Sequence, residues 1–475
     1  MSNNFKFTPS SNLIKRQFKE DSPTGHRSDF MRDRDRVMYS TAFRRLAGKT
    51  QIYTTGIDDH KRNRLTHTLE VSQIARTIAQ ALQLNCDLTE AIALGHDFGH
   101  TPFGHAGERM LHSIMIPNSE YIKTSPFFKT CFCNIEKSLE NAPSSNLFGF
   151  KHNLQSIRVA IALEDSYRDD KGNNIGLNLT NYTLWGMLNH SSLNYDKNDG
   201  KFLNYHQQLL EQCSIGKNSQ GKLIEAWSLE AYIVELADEI SQWHHDLEDA
   251  LRGQAMVKDS ILKLVENLSE KELPLEDKAK LDALNSRPIL DRKYITDVSH
   301  ILVNTLASDI IDNSLKNIDI LKKEIVDKKV SQDEFFLNYD AIYFSIPRNK
   351  IISFSKNIRY NEVKSSIKEN VHHSRDVERM NEKGKYIIRK LFEAYSAHPQ
   401  QLPDGPIIHF MVELGAYKNI DEAKGTPIGK IRTAFDDCLK SLTVYQRILL
   451  MRRICDHIAS MTDRYAIDEY EKLYG

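Results

Sequence analysis

The segment from Gly95 to Glu108 holds the densest set of side chains that could do chemistry in this chain. It contains three histidines and two carboxylates within fourteen residues, interleaved with Phe98 and Phe103. A packed core has no use for this density of polar groups, because a buried polar group costs free energy unless it is paired. A solvated loop would not favour the two phenylalanines. Converging imidazoles and carboxylates suit a divalent metal ion, so the segment predicts a metal or catalytic site.

Two further side chains that could bind a metal lie on predicted helices. His67 is part of an otherwise apolar helix, and Asp238 lies in the apolar stripe of another. Alone, such a histidine is more often a core residue with a satisfied hydrogen bond, and such an aspartate is often a cap or an ion-pair partner. His244 and His245 form a tandem further along the Asp238 helix. We interpret at least one of them as a packing or supporting residue.

The elements that must position these side chains are predicted to be helices. Apolar residues recur at steps of three and four residues, which is the spacing of an amphipathic helix. The stretches with this pattern are Leu65–Leu82, Ser228–Ile240, Gly384–Tyr395 and Tyr445–Met461. Ala341–Ile346 is the best candidate strand, and Pro143–Asn146 and Tyr195–Gly200 are predicted loops. The sequence therefore predicts a mainly α protein.

Composition narrows the class of protein. The 475 residues include 40% hydrophobic ones and have a formal net charge of -1, which allows a large core and indicates no chain-wide basic surface for nucleic acid. No stretch approaches the roughly 20 apolar residues of a membrane helix, and the first residues lack a long apolar run. We therefore expect a cytoplasmic protein with no membrane partner. The six cysteines, of which only Cys131 and Cys133 are close together, are expected to be free thiols.

Taken together, His67, His96, Asp97 and Asp238 form a pattern that resembles the HD phosphohydrolase superfamily. The flanking segments are similar to the bacterial deoxyguanosine triphosphate triphosphohydrolase family, from about residue 27 to the end of the chain. These segments are Arg32–Arg36, Thr41–Leu46, Lys49–Gln51, Arg64–Val71, His152–Arg158, Gly176–Thr180, Asp246–Leu251 and Met461–Tyr470. The resemblance implies an HD-domain helical bundle with a helical C-terminal elaboration. It also implies hydrolysis of deoxynucleoside triphosphates, of dGTP or of several dNTPs, to deoxynucleoside and inorganic triphosphate.

The resemblance implies that His67, His96, Asp97 and Asp238 hold one divalent metal ion. Two imidazoles and two carboxylates suit Mn, Mg or another transition metal and do not by themselves identify it. Such a set leaves positions open for water and for a phosphate oxygen, as a catalytic site requires.

A second set of residues is implicated in the hydrolytic step by the same resemblance. His105 and Glu108 match a histidine–carboxylate pair of the family. A carboxylate fixes the tautomer of an imidazole and raises its basicity, and a spacing of three residues places both on one helical face. His100 is expected to contact phosphate or to polarise the site. The alternative for His100 is a hydrogen bond that stabilises the loop.

The resemblance also implies which residues bind the substrate. Arg64 is expected to bind phosphate, and Gln51 is expected to contact the 3′-hydroxyl of the deoxyribose. Asp246 is expected near the sugar, and Asn153 near the site with a less defined role. At the position of Gln242 the family usually has a tyrosine whose ring packs against the sugar. We therefore expect less strict selection of the sugar or base in this chain.

The chain is expected to comprise three parts: an N-terminal arm (1–26), an HD phosphohydrolase core (27–255), and a C-terminal helical region (256–475) that completes the site and the oligomer contacts. The resemblance implies a homo-oligomer, with a hexamer as one size, and an effector that is a dNTP or a single-stranded nucleic acid. The alternative functions are an HD phosphohydrolase for another nucleotide and a nucleotide or single-strand sensor. The complete ligand set favours an enzyme.

Overall fold

The computed structural model describes residues 14–20, 25–50, 63–116, 149–189, 214–217, 223–225, 228–252, 275–285, 292–328, 351–355, 365 and 375–475. Over these residues the chain is mainly α, which confirms the predicted fold class. No helix in this part of the chain is both long enough and apolar enough to cross a membrane. The candidate strand Ala341–Ile346 and the predicted loops Pro143–Asn146 and Tyr195–Gly200 lie outside the described residues.

The described residues in the first half of the chain form helices and one antiparallel pair of short strands. The apolar periodicity did not predict this strand pair. The helices are α1 (Asp29–Tyr39), α2 (Thr41–Arg45), α3 (Arg64–Ala81), α4 (Cys86–Gly95), α5 (Gly104–Met115), α6 (His152–Arg158), α7 (Asn181–Asn189) and α8 (Leu229–Arg252). A 3-10 turn covers Leu46–Gly48, and a π-helical turn, Val159–Leu163, continues α6. The paired strands are β1 (Ser214–Lys217) and β2 (Leu223–Glu225).

The second half of the chain contributes helices and a further 3-10 turn at Pro399–Gln401. The helices are α9 (Leu275–Asn285), α10 (Arg292–Lys328), α11 (Arg375–Ala397), α12 (Asp404–Glu413), α13 (Ile420–Gly425), α14 (Ile428–Leu439), α15 (Val444–Ser460) and α16 (Asp463–Tyr474). Each of the four periodic stretches falls on one helix, namely α3, α8, α11 and α15, although α8 and α11 extend well beyond the pattern.

Capping side chains determine where α3 and α15 begin. Asn63, the N-cap of α3, accepts a hydrogen bond from the backbone N–H of Thr66 at 3.0 Å, so that α3 begins at Arg64, three residues before His67. Thr443 and Gln446 form a reciprocal capping box at the start of α15. These side chains satisfy backbone donors that would otherwise have no partner at a helix N-terminus.

A first hydrophobic core is formed mainly by α3, α4, α7, α8 and α10. Its fully buried side chains include Ile78, Ile92, Trp185, Ile233 and Ile301, one from each of these helices. Burial of each such side chain stabilises the fold by about 1.5–3 kcal/mol relative to exposure. The first core therefore fixes the helices from which the predicted metal ligands project.

A second hydrophobic core is formed by α5, α11, α12, α14 and α15. It includes Leu111, Leu391, Phe410, Phe435 and Ile454, again one from each helix. Only the loop 96–103 separates α4 from α5, yet α5 packs in this second core. The chain therefore passes from the first core to the second within the predicted site segment.

A buried ionic network joins α6 to α15. Asp456 accepts hydrogen bonds from Arg158 at 2.7 Å, from Arg452 at 3.2 Å and from Gln155 at 3.1 Å. Burial alone would raise the pKa of Asp456, but the two arginines lower it to about 2. The carboxylate is thus ionised at neutral pH and bridges the two parts of the chain. The domain boundaries given above stay a prediction. Helix α5, which belongs to the predicted HD core, packs in the same hydrophobic core as α11, α12, α14 and α15.

The described cysteines are free thiols, as expected. Cys86 and Cys438 are partly buried and Cys455 is fully buried. Burial raises the pKa of Cys455 to about 12, so its thiol is unreactive at neutral pH. The close pair Cys131 and Cys133 lies outside the described residues, as does Cys213.

Candidate active site

The loop 96–103 is pressed against the start of α6. A Cβ atom at Gly99 would lie 2.0 Å from the carbonyl oxygen of His152 and 2.4 Å from the backbone nitrogen of Ser156, so only glycine allows this approach. The Ser156 hydroxyl donates to the carbonyl of His96 at 2.8 Å and accepts from the N–H of Gly99 at 2.9 Å. The packing brings α6 directly beside the histidine-rich loop.

The C-terminal part of the chain also holds this loop. Asp463, the first residue of α16, accepts hydrogen bonds at 3.0 Å from the N–H of Thr50 and from the N–H of Phe103. The buried Lys49 ammonium donates to the carbonyls of His100 and Ala459. Burial lowers the pKa of Lys49 to about 7, with a smaller contribution from nearby arginines. The loop and the segment between α15 and α16 therefore form one hydrogen-bonded unit.

Three of the four predicted metal ligands converge, and we call His67, His96 and Asp238 the metal-ligand cluster. His67 Nε2 lies 2.8 Å from Asp238 Oδ1, and His96 Nε2 lies 3.9 Å from the same oxygen. One potential ligand atom from each of the three residues lies within 4.8 Å of the others. The side chains come from α3, from the residue after α4 and from α8, all of which contribute to the first core.

The tautomer of His96 suits metal binding. Its Nδ1 lies 2.6 Å from the carbonyl oxygen of Ala93, to which only a protonated ring nitrogen can donate. The lone pair of the neutral ring is then on Nε2, the nitrogen nearest Asp238. A backbone acceptor at the far nitrogen is the usual way in which proteins orient a histidine ligand.

Asp97, the fourth predicted ligand, is shared between neighbouring side chains. Its Oδ1 lies 3.3 Å from His96 Nε2 and 3.1 Å from His100 Nε2, and its Oδ2 accepts from Arg64 at 2.7 Å. Burial alone would raise the pKa of Asp97, but these three neighbours hold it well below its usual range. The carboxylate is therefore ionised, and it lies at the edge of the metal-ligand cluster.

A second group consists of His105, Glu108 and His152, and we call it the proton-transfer cluster after the role that the sequence predicts for His105 and Glu108. Together with His100, one potential ligand atom of each of these residues also lies within 4.8 Å of the others, a geometry that suits a metal ion as well. Glu108 Oε2 lies 3.1 Å from His105 Nδ1 and 3.0 Å from His152 Nδ1. The His105 side chain is 59% exposed, whereas that of Glu108 is 9% exposed. His105 and Glu108 share one face of α5, as the spacing of three residues predicts.

The charges within this cluster depend on one another. Burial alone would raise the pKa of Glu108, but His152 and His105 bring it well below its usual range. Burial alone would lower the pKa of His152, but Glu108 raises it above the ordinary histidine value. Glu108 is therefore ionised, and its charge favours the protonated form of His152.

His100 lies between the two clusters. Its ring stacks on that of His152, with centroids 4.0 Å apart and planes 19° from parallel, and its Nε2 contacts Asp97. Burial, with Arg64 and His152 nearby, holds the pKa of His100 well below its usual range. A neutral imidazole at this point joins the metal-ligand cluster to the proton-transfer cluster without adding positive charge.

The residues predicted to bind substrate have more varied positions. Arg64 is buried, and its guanidinium donates a hydrogen bond to Asp97, which is one of the predicted metal ligands. Asn153 is buried beside His152 on α6. Gln242 is partly buried and Asp246 is fully buried, one and two turns after Asp238 on α8. Gln51 lies outside the described residues.

Sequence reasoning missed His152 as a residue of the site. It lies 44 residues after Glu108, a separation that carries no spacing signal. The available indication was its place at the start of the segment His152–Arg158, which supported the family resemblance. Chain folding, through the contact between Gly99 and α6, brings it to Glu108.

The residues of the metal-ligand cluster fit a divalent cation. Two imidazoles and one carboxylate meet, with the Asp97 carboxylate adjacent, and this donor set suits Mn, Fe, Ni, Zn or Mg. The ionised Asp238 supplies negative charge; burial alone would raise its pKa, but His67 and His96 bring it well below its usual range. The identity of the metal does not follow from these ligands.

Comparison with known proteins gives two family matches and many full-length relatives. Residues 64–128 match the HD domain, and residues 352–407 and 442–472 match the phosphohydrolase-associated domain. A deoxyguanosinetriphosphate triphosphohydrolase-like protein of Leptospira interrogans is 32% identical over 96% of this chain and 92% of its own length. Proteins of the same description from Azoarcus sp. and Rickettsia bellii are 33% and 31% identical, over 94% and 95% of this chain and 90% and 93% of their own lengths.

Proposed function

The chain belongs to the deoxyguanosine triphosphate triphosphohydrolase family of HD-domain phosphohydrolases, and from this premise we propose that it hydrolyses deoxynucleoside triphosphates to deoxynucleoside and inorganic triphosphate. The observation that supports the proposal best is the contact between two chemically different clusters. One has the donor set for a cation, and the other has the histidines and carboxylate of a proton-transfer site. His100 touches a residue of each.

We propose His67, His96, Asp97 and Asp238 as the metal ligands. A divalent cation bound there would neutralise charge on a phosphate oxygen and act as a Lewis acid. Arg64 holds the Asp97 carboxylate through one end of its guanidinium. Its Nε is buried and has no hydrogen-bond partner among the described residues, so we propose that a phosphate oxygen entering the site satisfies this donor.

We propose that His105 transfers the proton, and that Glu108 and His152 orient it and set its basicity. Glu108 occupies Nδ1 of His105, so Nε2 is the nitrogen that remains for water or substrate. An ionised carboxylate on the far nitrogen raises the basicity of the imidazole. His152 shares the same carboxylate oxygen and therefore controls how much of its charge acts on His105. His105 is the most exposed of the three, as a group that meets substrate must be.

The proposed reaction is hydrolysis at the α-phosphorus. A water oxygen forms a bond to that phosphorus while the bond to the 5′-oxygen of the nucleoside breaks. The water loses a proton, and the departing 5′-oxygen gains one. Positioning and electrostatic stabilisation by the side chains named above would supply most of the acceleration.

Selection of the nucleoside is proposed for Gln51, Asn153, Gln242 and Asp246. Gln242 stands one turn beyond Asp238, where an amide replaces the ring usual in the family. The adjacent Trp243 does not take the place of that ring, because the Trp243 side chain is buried in the first core. Its ring stacks on that of Phe354, with the ring centroids 6.1 Å apart. This arrangement supports the expectation of less strict sugar or base selection.

The predicted assembly and effectors remain part of the proposal. The family resemblance leads us to propose a cytoplasmic homo-oligomer, with a hexamer as one size, and an effector that is a dNTP or a single-stranded nucleic acid. Sizing of the purified protein with and without dNTPs tests the assembly.

The decisive assay identifies the phosphate product. The purified chain is incubated with each of the four dNTPs and Mn or Mg, and the nucleoside, nucleotide and phosphate products are separated. The proposal expects deoxynucleoside and inorganic triphosphate in equal amounts. Release of pyrophosphate with a nucleoside monophosphate, or of phosphate alone, would assign the chain to a different phosphohydrolase reaction.

A matched control keeps the assay specific to this site. Asp97→Asn preserves the size of the side chain but removes a negative charge beside the metal-ligand cluster, so it should abolish triphosphate release. Binding of dNTPs by the wild type without any product would favour the sensor over the enzyme.

A further inference from the structure

A third group of potential metal ligands lies beside the metal-ligand cluster. It consists of Glu70 on α3, one turn after His67, and of His244 and His245 on α8. Glu70 Oε2 lies 2.5 Å from His245 Nε2 and 3.4 Å from His244 Nδ1. We propose that Glu70, His244 and His245 form a second site for a divalent transition-metal cation, distinct from the proposed catalytic metal.

The three potential ligand atoms converge closely enough to share one cation. Consecutive helical residues project about 100° apart, yet His244 and His245 both direct a ring nitrogen to the same carboxylate oxygen. Two neutral imidazoles and one carboxylate around a shared cation satisfy all three groups, and zinc-type cations accept this set with an open position for water.

A neighbouring carboxylate gives His244 the support typical of a metal ligand. His244 Nε2, the nitrogen away from Glu70, lies 3.5 Å from Glu248 Oε1. A carboxylate at the far nitrogen orients a histidine ligand and raises its basicity. Glu70 is 34% exposed at its side chain, which gives a cation access from solvent, whereas His245 is buried.

The proposed second site is connected to the metal-ligand cluster. The Ser241 hydroxyl lies 3.2 Å from Nδ1 of His67 and 3.4 Å from Nε2 of His245. The rings of His67 and His245 are 5.1 Å apart between centroids. Like charges at such close sites repel, so the second cation should bind after the first and more weakly.

The test is a metal titration of the full-length protein after removal of bound metal. Co(II) is added while calorimetry gives the stoichiometry and visible absorption reports coordination of each ion. The wild type should bind one more equivalent than His244→Ala and one more than Glu70→Gln. Glu248→Gln should keep that equivalent but weaken its binding about 10–100-fold, the usual effect of losing support behind a histidine ligand.

Three controls separate this site from the other histidine groups. His398→Ala removes an exposed histidine far along the chain and should bind as many equivalents as the wild type. His105→Ala tests the proton-transfer cluster, whose geometry could also hold a metal, and should not remove the equivalent assigned here. His67→Ala should remove the tighter equivalent and leave the weaker one.

The proposal fails if His244→Ala and Glu70→Gln bind the same number of equivalents as the wild type while their melting temperatures show that they are folded. It also fails if His105→Ala, rather than His244→Ala, loses the weaker equivalent. Because the readout is metal binding and no substrate is present, this result is independent of the proposed hydrolysis.

Discussion

The metal-ligand cluster and the proton-transfer cluster lie side by side but are built by different parts of the fold. His67, His96 and Asp238 project from helices of the first core. His105 and Glu108 project from α5, which packs in the second core. His152 is the first residue of α6. Phe150, just before this helix, packs in the second core, and Leu154, within the helix, packs in the first. The site is therefore completed only when the two cores pack together.

Buried carboxyl groups near the two cores differ in whether an arginine pairs with them. Asp456, which joins α6 to α15, is bracketed by Arg158 and Arg452. Glu230 on α8, beside the first core, is fully buried, and its side chain accepts from the N–H of Asn85 at 3.3 Å. Burial raises the pKa of Glu230 to about 7. Charge pairing thus stabilises the junction between the cores, whereas the helix with Asp238 contains a carboxyl group that is costly to ionise.

The largest effect is expected from the loss of a proposed metal ligand beside the first core. His96→Ala removes an imidazole from the metal-ligand cluster and should abolish both bound metal and turnover. Metal content of the purified variant and its rate with dNTPs are measured together. Stoichiometric metal with normal turnover in this variant would show that His96 is not a ligand.

The next effect concerns the junction between the cores. Asp456→Ala leaves Arg158 and Arg452 buried without their carboxylate, and breaking a buried pair in this way costs about 3–5 kcal/mol. Denaturant unfolding should show a loss of this size. Under native conditions the remaining folded protein should still bind metal. A change below about 1 kcal/mol would mean that this network does not join the cores.

Glu230→Gln tests the buried carboxyl of the first core. Its folded pKa of about 7 lies above the unfolded value, so the native state binds the extra proton between about pH 4.5 and 7. The wild type should lose stability relative to the Gln variant as the pH rises through this window, because the other titrating groups are common to both proteins. The variant should be more stable by about 3 kcal/mol at pH 8 and equal at pH 4. Parallel curves for the two proteins would contradict the assignment.

The smallest effect is expected for Gln242, which should change selectivity without changing metal content. A ring packed beneath C2′ would exclude a 2′-hydroxyl, so Gln242→Tyr should raise the ratio of kcat/KM for dGTP to kcat/KM for GTP. The expected change in this ratio corresponds to a free energy of about 1–3 kcal/mol. Complete rejection of GTP by the wild type, with no change in the Tyr variant, would assign the selection to other residues.

Much of this organisation follows from local sequence. The apolar periodicity predicts α3, α8, α11 and α15, because one face of each helix must be buried. The density of histidines and carboxylates from Gly95 to Glu108 predicts a site, because such groups are costly in a core without a function. The spacing of three residues correctly places His105 and Glu108 on one face of α5.

Long-range contacts explain what the sequence alone did not reveal. His152 reaches Glu108 because Gly99 lets α6 pack on the loop, and no local pattern encodes that approach. Arg64 was predicted to bind phosphate, and its contact with Asp97 depends on how α3 packs beside the end of α4. The predicted role of Gln51 stays a prediction, because that residue lies outside the described part of the chain.

The central claim is that metal binding and proton transfer belong to separate clusters. The most direct test is His105→Ala, measured for bound metal, substrate affinity and turnover in the same preparation. The two-cluster account predicts unchanged metal content and substrate affinity, with turnover lower by about 10²–10⁴-fold, the usual range for a general acid–base group. Loss of the metal from this variant, or retention of full turnover, would contradict it.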